Sequence, residues 1–149
     1  MNRESTLAAS APAPAIRVRT LNLERFAILY ARYALAAAFL SGIASRFGLY
    51  KGGYGNFANF MKYTAEVNSF MPAATIPFLG WSATVFELFF GVALILGVWP
   101  RWIALGSAVL LALFGIAMAI SFGIKSPLDY SVFSASSAAL LLVVRSDSR

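Results

Sequence analysis

Residues 78–98 read Phe78-Leu-Gly-Trp-Ser-Ala-Thr-Val-Phe-Glu87-Leu-Phe-Phe-Gly91-Val-Ala-Leu-Ile-Leu-Gly-Val98. The run is long enough to cross a hydrocarbon core of about 30 Å, which takes roughly 20 apolar residues. Its one charge, Glu87, stands nine positions after Phe78, about 13 Å along a helix rising 1.5 Å per residue. That depth is near a bilayer centre, where a carboxylate costs about 3 kcal/mol on insertion scales. Glu87 must therefore face other helices, not lipid. Ala83 and Gly91 stand four positions to either side, and such small residues let a second backbone approach. A helix bundle embedded in a membrane follows from this stretch.

The whole composition agrees. Of the 149 residues, 60% are hydrophobic and only 12% charged, too few polar side chains to coat a small soluble domain. The chain contains no His and no Cys. That excludes a disulfide, a thiolate nucleophile, a Ser-His-Asp triad, an iron–sulfur cluster, His- or Cys-held haem and an ordinary zinc or copper site within this chain. Redox chemistry here would need a diffusible carrier or a partner that holds the metal. The net charge of +6 gathers at helix flanks and forms no basic stripe interleaved with aromatics, so no nucleic acid partner is expected.

Working outward, three more segments have spanning length: Phe26 to Arg46, Trp102 to Phe122 and the shorter Leu128 to Val144. Residues 1–25 read as a disordered tail, with Ala-Pro repeats at 11–15, and 145–149 as a short C-terminal tail. Arg32 inside the first apolar run argues against a cleaved leader. Between the first two spans, Asn56 to Met71 places Phe57, Phe60, Met61, Val67, Phe70 and Met71 near helical spacing. Pro72 should stop that helix. It is too polar to span and reads as an interfacial amphipathic helix. The expected fold is all-α: a polytopic four-transmembrane-helix bundle with this helix between spans one and two.

Four spans place Arg3, Arg17, Arg19, Arg25, Arg101, Arg145 and Arg149 on one side, against Arg46, Lys51, Lys62 and Lys125 on the other. The asymmetry favours cytoplasmic N and C termini. Small-residue stripes also recur at Ala34, Ala38 and Gly42, and at Gly115, Ala119 and Gly123. Glu87 needs a partner, and Arg32 and Arg46 are each about one long side chain away in depth. Sequence leaves the choice open. Pro127 suits a helix start, with Ser126 as cap and Asp129 in the first turn of helix four. Asp129, Tyr130 and Arg46 together would make a polar mouth above Glu87. Ser134 and Ser137 would hydrogen-bond across the bundle.

Arg32-Tyr-Ala-Leu-Ala-Ala-Ala-Phe-Leu-Ser-Gly-Ile-Ala-Ser-Arg46 resembles the opening helix of the DoxX family. The Pro77–Gly91 stretch, with its intramembrane Glu87, resembles that family's second helix. Trp99-Pro-Arg-Trp102 and Lys125-Ser-Pro-Leu-Asp129-Tyr also fit. The resemblance covers roughly residues 26–144 and implies small four-helix membrane proteins of bacteria and archaea. They are associated with membrane redox systems, including small subunits of thiosulfate:quinone oxidoreductase. It carries Arg32, Arg46, Glu87 and Asp129 over as functional positions. Relatives often have Lys where this chain has Arg46. An Arg there keeps the charge but does not readily release a proton.

These readings converge on a multi-pass protein of the bacterial cytoplasmic membrane, a subunit or anchor of a quinone-linked redox system. A quinone is the one cofactor expected, and none is attached covalently. Ligand-binding or proton-handling candidates are Glu87, Arg32, Arg46, Asp129 and Tyr130, with no metal site. Expected partners are the lipid bilayer, a soluble or membrane redox protein and further copies of the chain. The alternatives are a non-enzymatic scaffold recruiting redox or stress-response partners, or a transporter of a small hydrophobic solute. A self-sufficient metal, haem, Cys or His enzyme is not expected.

Overall fold

A computed structural model describes the backbone of residues 14–146 and the side chains of residues 20–146. All regular structure among these residues is helical. Helix α1 runs Pro14–Arg46, α2 Phe57–Val67, α3 Ile76–Leu96, α4 Pro100–Phe122, α5 Lys125–Asp129 and α6 Val132–Ser146. A single 3-10 turn, Ala73–Thr75, leads into α3.

Three helical stretches are long and apolar enough to cross a membrane: Thr20–Arg46, Ala73–Leu96 and Pro100–Phe122. The first span thus begins earlier than expected. Residues 14–25, read above as part of a disordered tail, are helical. Pro14 is tolerated because a first-turn proline lacks only an N–H that would be unpaired anyway, and no further proline follows before Arg46. The rest of the expected tail, residues 1–13, lies outside the described residues.

The turn between α3 and α4 is tight for local reasons. Gly97 ends α3 in the left-handed region (φ 71°) and donates its N–H to the Ala93 carbonyl. Trp99 is also left-handed, and Pro100 opens α4. Helix α2 is shorter than its apolar pattern. Asn56 caps its start, accepting from the Asn59 N–H at 2.8 Å. It ends at Val67, because the Asn68 backbone (φ −112°, ψ 37°) leaves the helical region, while its side-chain amide donates to the Thr64 carbonyl at 2.8 Å. Phe70 and Met71 therefore lie beyond the helix and are exposed.

The last segment differs most. One helix from Leu128 to Val144 was expected, and the chain instead breaks at Ser131, which is left-handed (φ 55°). Asp129 closes the five-residue α5 instead of opening α6. Helix α6 has 15 residues, about 22 Å at 1.5 Å per residue, short of a core of about 30 Å.

Packing pairs α1 with α3 and α4 with α6. Leu35 and Phe39 of α1, Phe90 and Leu94 of α3, Ile103 of α4 and Leu142 of α6 meet in one buried cluster. Helix α2 packs onto α3, α4 and α1 at the end where α1 stops. Two of the three small-residue stripes act as contacts only in part. Gly42 and Gly91 lie at the α1–α3 crossing, where a Cβ at Gly91 would stand 3.0 Å from Leu40. Ala34 and Ala38 face outward, because the buried face of α1 runs instead through Leu35, Ala36 and Phe39. Gly115 sits under the Phe133 ring of α6, whereas Gly123 ends α4 with open space around it. Across that same interface Ser136 donates to the Ala108 carbonyl at 2.8 Å. Ser134 and Ser137, expected in that role, are exposed, and Ser137 bonds within its own helix. The outer faces of the helices remain apolar, with Phe78, Val85, Leu96, Leu113 and Leu141 exposed. Those faces suit lipid contact.

A Cβ at Gly115 would stand 2.7 Å from the Phe133 ring. Gly115→Leu should therefore destabilise the fold by about 1–3 kcal/mol, the usual overpacking cost. Thermal unfolding in detergent measures this, and Ala38→Leu, at an outward-facing helical position of α1, serves as a control outside the interface.

Candidate functional site

The site starts from the end of α1. Arg46 is the helix's last residue and is only 4% exposed. One turn earlier, Gly42 leaves room for the Glu87 carboxylate, since a Cβ there would stand 3.0 Å from Oε2. Arg46 Nη2 donates to Glu87 Oε1 at 2.5 Å, and both side chains are 5% exposed. Arg46 Nη1 donates to Thr84 Oγ1 at 3.0 Å. Thr84 in turn donates its hydroxyl hydrogen to the Gly80 carbonyl at 2.8 Å. Above, α2 lays the Phe60 ring over the guanidinium, with the central carbon 3.9 Å from the ring centroid. Such a desolvated cation–π contact contributes about 2 kcal/mol.

Arg46 is therefore the partner of Glu87. Arg32 lies fourteen residues earlier on α1, about 21 Å along the axis. It donates to the Tyr33 hydroxyl at 3.3 Å and sits against Gly97 at the other end of the bundle. The sequence marks Thr84 and Phe60 as site residues far less plainly than it marks Glu87. Thr84 stands three positions before Glu87, hence on the same helix face, and that spacing was the available signal. Phe60 was legible as part of an apolar face, but nothing in the sequence says that an arginine lies under it.

The polar mouth is differently built from the expected one. Asp129 pairs with Lys125 at 2.5 Å on the exposed surface, and Arg46 is taken up by Glu87 and Thr84. Tyr130 is exposed, yet lies close enough to influence the ionisation of Tyr54 and Tyr63. Tyrosines rather than Asp129 therefore gather near the Arg46 end of the bundle. Tyr54 is positioned by its backbone N–H, which donates to Ser45 Oγ at 3.0 Å. Its ring lies 5.3 Å from Phe60 and 5.4 Å from Tyr63. Burial, reinforced by Tyr63, pushes the Tyr54 phenol up to about 12, although Arg46 pulls the other way. Burial also raises Tyr63. Both phenols stay protonated and remain hydrogen-bond donors across ordinary pH.

Two polar atoms are left over. The Nε–H groups of Arg46 and Arg32 are buried without a hydrogen-bond partner among the described residues. Among the same residues no three of His, Cys, Asp and Glu come together as a metal-ligand group.

The architecture defines an all-helical membrane protein whose intramembrane charges pair between its first and third helices. A sequence model of the DoxX family matches residues 27–125, and the chain belongs to that family. The match takes in Arg32, Arg46, Tyr54, Phe60, Tyr63, Thr84 and Glu87, and stops before Asp129, Tyr130 and α6. No curated protein and no solved structure matches the chain.

Removing one member of a buried pair leaves an uncompensated charge, at a cost of about 3–5 kcal/mol. Arg46→Met and Glu87→Ala should each lower stability by that order in detergent unfolding. The double variant Arg46→Met/Glu87→Leu should recover most of the loss. Tyr54 carries its own pH signature. Its folded-state value lies above the unfolded one, so the folded chain holds its proton longer. Stability from this group is complete below about pH 10 and falls as pH rises towards 12. Alkaline unfolding of wild type against Tyr54→Phe should show the wild type losing stability more steeply in that window.

Proposed function

We propose that this DoxX family protein is the membrane subunit of a quinone-linked redox system and that the Arg46 centre takes the quinone head group. A quinone ring is planar and apolar, with two carbonyl oxygens that accept hydrogen bonds. A site for it needs an apolar slot and a few placed donors. The observation that carries the reading is the buried, unpartnered Nε–H of Arg46. It lies beneath an aromatic ring and near the Tyr54 phenol, which stays protonated. One carbonyl would accept from Arg46 and the other from Tyr54. The ring would take the stacking place that Phe60 now occupies, α2 shifting outward to admit it. Gly48, Gly52 and Gly55, all at positive φ in the α1–α2 connection, give that connection the turns such a shift would use. Electrons would come from a soluble or membrane partner that carries its own redox centre. Glu87 fixes Arg46 and balances its charge.

In this reading the chain crosses the bacterial cytoplasmic membrane four times, α6 completing the bundle despite its length, and both termini are cytoplasmic. The support is the excess of arginine at the end shared by early α1, the α3–α4 turn and the end of α6.

A scaffold reading competes on one observation: two nitrogens and one face of the Arg46 guanidinium are already engaged. The pair would then be a register lock with no ligand. Titrating the purified protein with a short-chain quinone analogue, followed by fluorescence quenching of its tryptophans, separates the two. Saturable binding is expected. Arg46→Lys, which keeps the charge but loses the Nε–H, and Tyr54→Phe should each weaken it about fivefold to tenfold, the worth of one hydrogen bond in a dry site. No saturable binding, alone or with a co-purified partner, would sink the quinone reading and favour the scaffold.

A further inference from the structure

A cavity lies at the opposite end of the bundle from the Arg46–Glu87 pair. It measures about 560 Å³ and opens between early α1, the end of α3, the start of α4 and the end of α6. Arg25, Arg32 and Arg145 line it, together with apolar Leu29, Leu94 and Ile103. We propose that this cleft is a headgroup site for an anionic phospholipid, with one acyl chain laid along α3.

The polar part of the argument is charge and geometry. Arg32 stands inside the apolar run of α1, a position costly in a bilayer unless the side chain reaches the interface or meets a counter-charge. Its Nε–H is buried and unpartnered. Its Nη1 sits where a side chain on Gly97 would be, since a Cβ there would stand 2.9 Å away. Gly97 thus admits the guanidinium into the α3–α4 turn. Glu24 reaches Arg145 at 2.7 Å. No carboxylate among the described residues pairs with Arg25 or Arg32. Among the described residues, Arg25 and Arg32 thus leave the cleft with an excess of positive charge. The planar fork of arginine matches phosphate oxygens in pairs.

The apolar part is continuity. A second groove of about 410 Å³ shares Ala93 and Val98 with the first cleft. It continues over Val85, Leu88, Phe89, Val92 and Leu96. From Val85 to Leu96 is about 16 Å of helix, room for much of an acyl chain. A positive head pocket joined to an apolar furrow is complementary to an amphiphile with a negative head. A free phosphate would leave the furrow unused, and a neutral-headed amphiphile would leave the excess charge uncompensated. The site lies at the other end of the bundle from Arg46 and Glu87, so it stands or falls apart from the quinone reading.

Native mass spectrometry of the full chain in detergent tests the proposal. The probes are phosphatidylglycerol, phosphatidylcholine with the same acyl chains, and inorganic phosphate. Phosphatidylglycerol should be retained in preference to phosphatidylcholine, and millimolar inorganic phosphate should not displace it. Arg25→Gln should weaken phosphatidylglycerol about fivefold, and Arg25→Gln/Arg32→Gln about twenty-five-fold, from roughly 1 kcal/mol per arginine. Val92→Trp, which fills the furrow, should weaken both lipids alike. Arg25 is exposed, so its single variant keeps the fold and decides the matter even if the double variant does not fold. Equal retention of the two lipids, or indifference to Arg25→Gln, would overturn the proposal. Displacement by inorganic phosphate would overturn it in favour of a free-anion site.

Discussion

The Arg46–Glu87 pair constrains everything at its end of the bundle. Two opposite charges taken from water need each other at close range, because neither is tolerable alone in a low-dielectric interior. Their 2.5 Å contact ties the end of α1 to the middle of α3. Gly42 gives the carboxylate room, since a Cβ there would stand 3.0 Å from Glu87 Oε2. Thr84 on the adjacent turn of α3 occupies Nη1. Helix α2 then has a fixed place, since Phe60 covers the guanidinium and Val67 and Ser69 hold its far end to Ser121 of α4. An amphipathic helix that sequence alone leaves lying at an interface becomes a cover over a buried charge.

Elsewhere the bundle is held by close approach. Lipid offers no hydrophobic reward for bringing apolar helices together, so contacts depend on packing and on shared hydrogen bonds. Gly91 under Leu40, Gly106 under Phe90 and Gly115 under Phe133 supply the first. The Ser136 bond to the Ala108 carbonyl supplies the second. Polarity is left at the two ends, and the ends differ. One gathers neutral phenols over an internally balanced pair, and the other gathers arginines around an open cleft.

Much of this is legible in the sequence. An acidic residue flanked by small residues in an apolar run must point inward, and Glu87 does. The three long apolar helices and the amphipathic segment follow from hydropathy and period. The misses are of one kind. Composition assigns Ala34 and Ala38, Ser134 and Ser137, and Asp129 to a face or a cap that the structure does not give them. A rotation of about 100° per residue separates Ser136 from Ser137, and composition alone does not resolve it. The break at Ser131 has no strong breaker within it, so a continuous helix was the natural reading.

What the sequence by itself determined is the membrane class, the family, the absence of His and Cys chemistry and the inward direction of Glu87. Each follows from residue type and local spacing. What only the tertiary structure decided is pairing: Arg46 rather than Arg32 for Glu87, Phe60 on the guanidinium, and three arginines from two helices around one cleft. Two arginines on the same helix have identical local chemistry. Which one meets the acid depends on the crossing point of α1 and α3, where Gly42 and Gly91 let the backbones close, and that is a property of the packed pair.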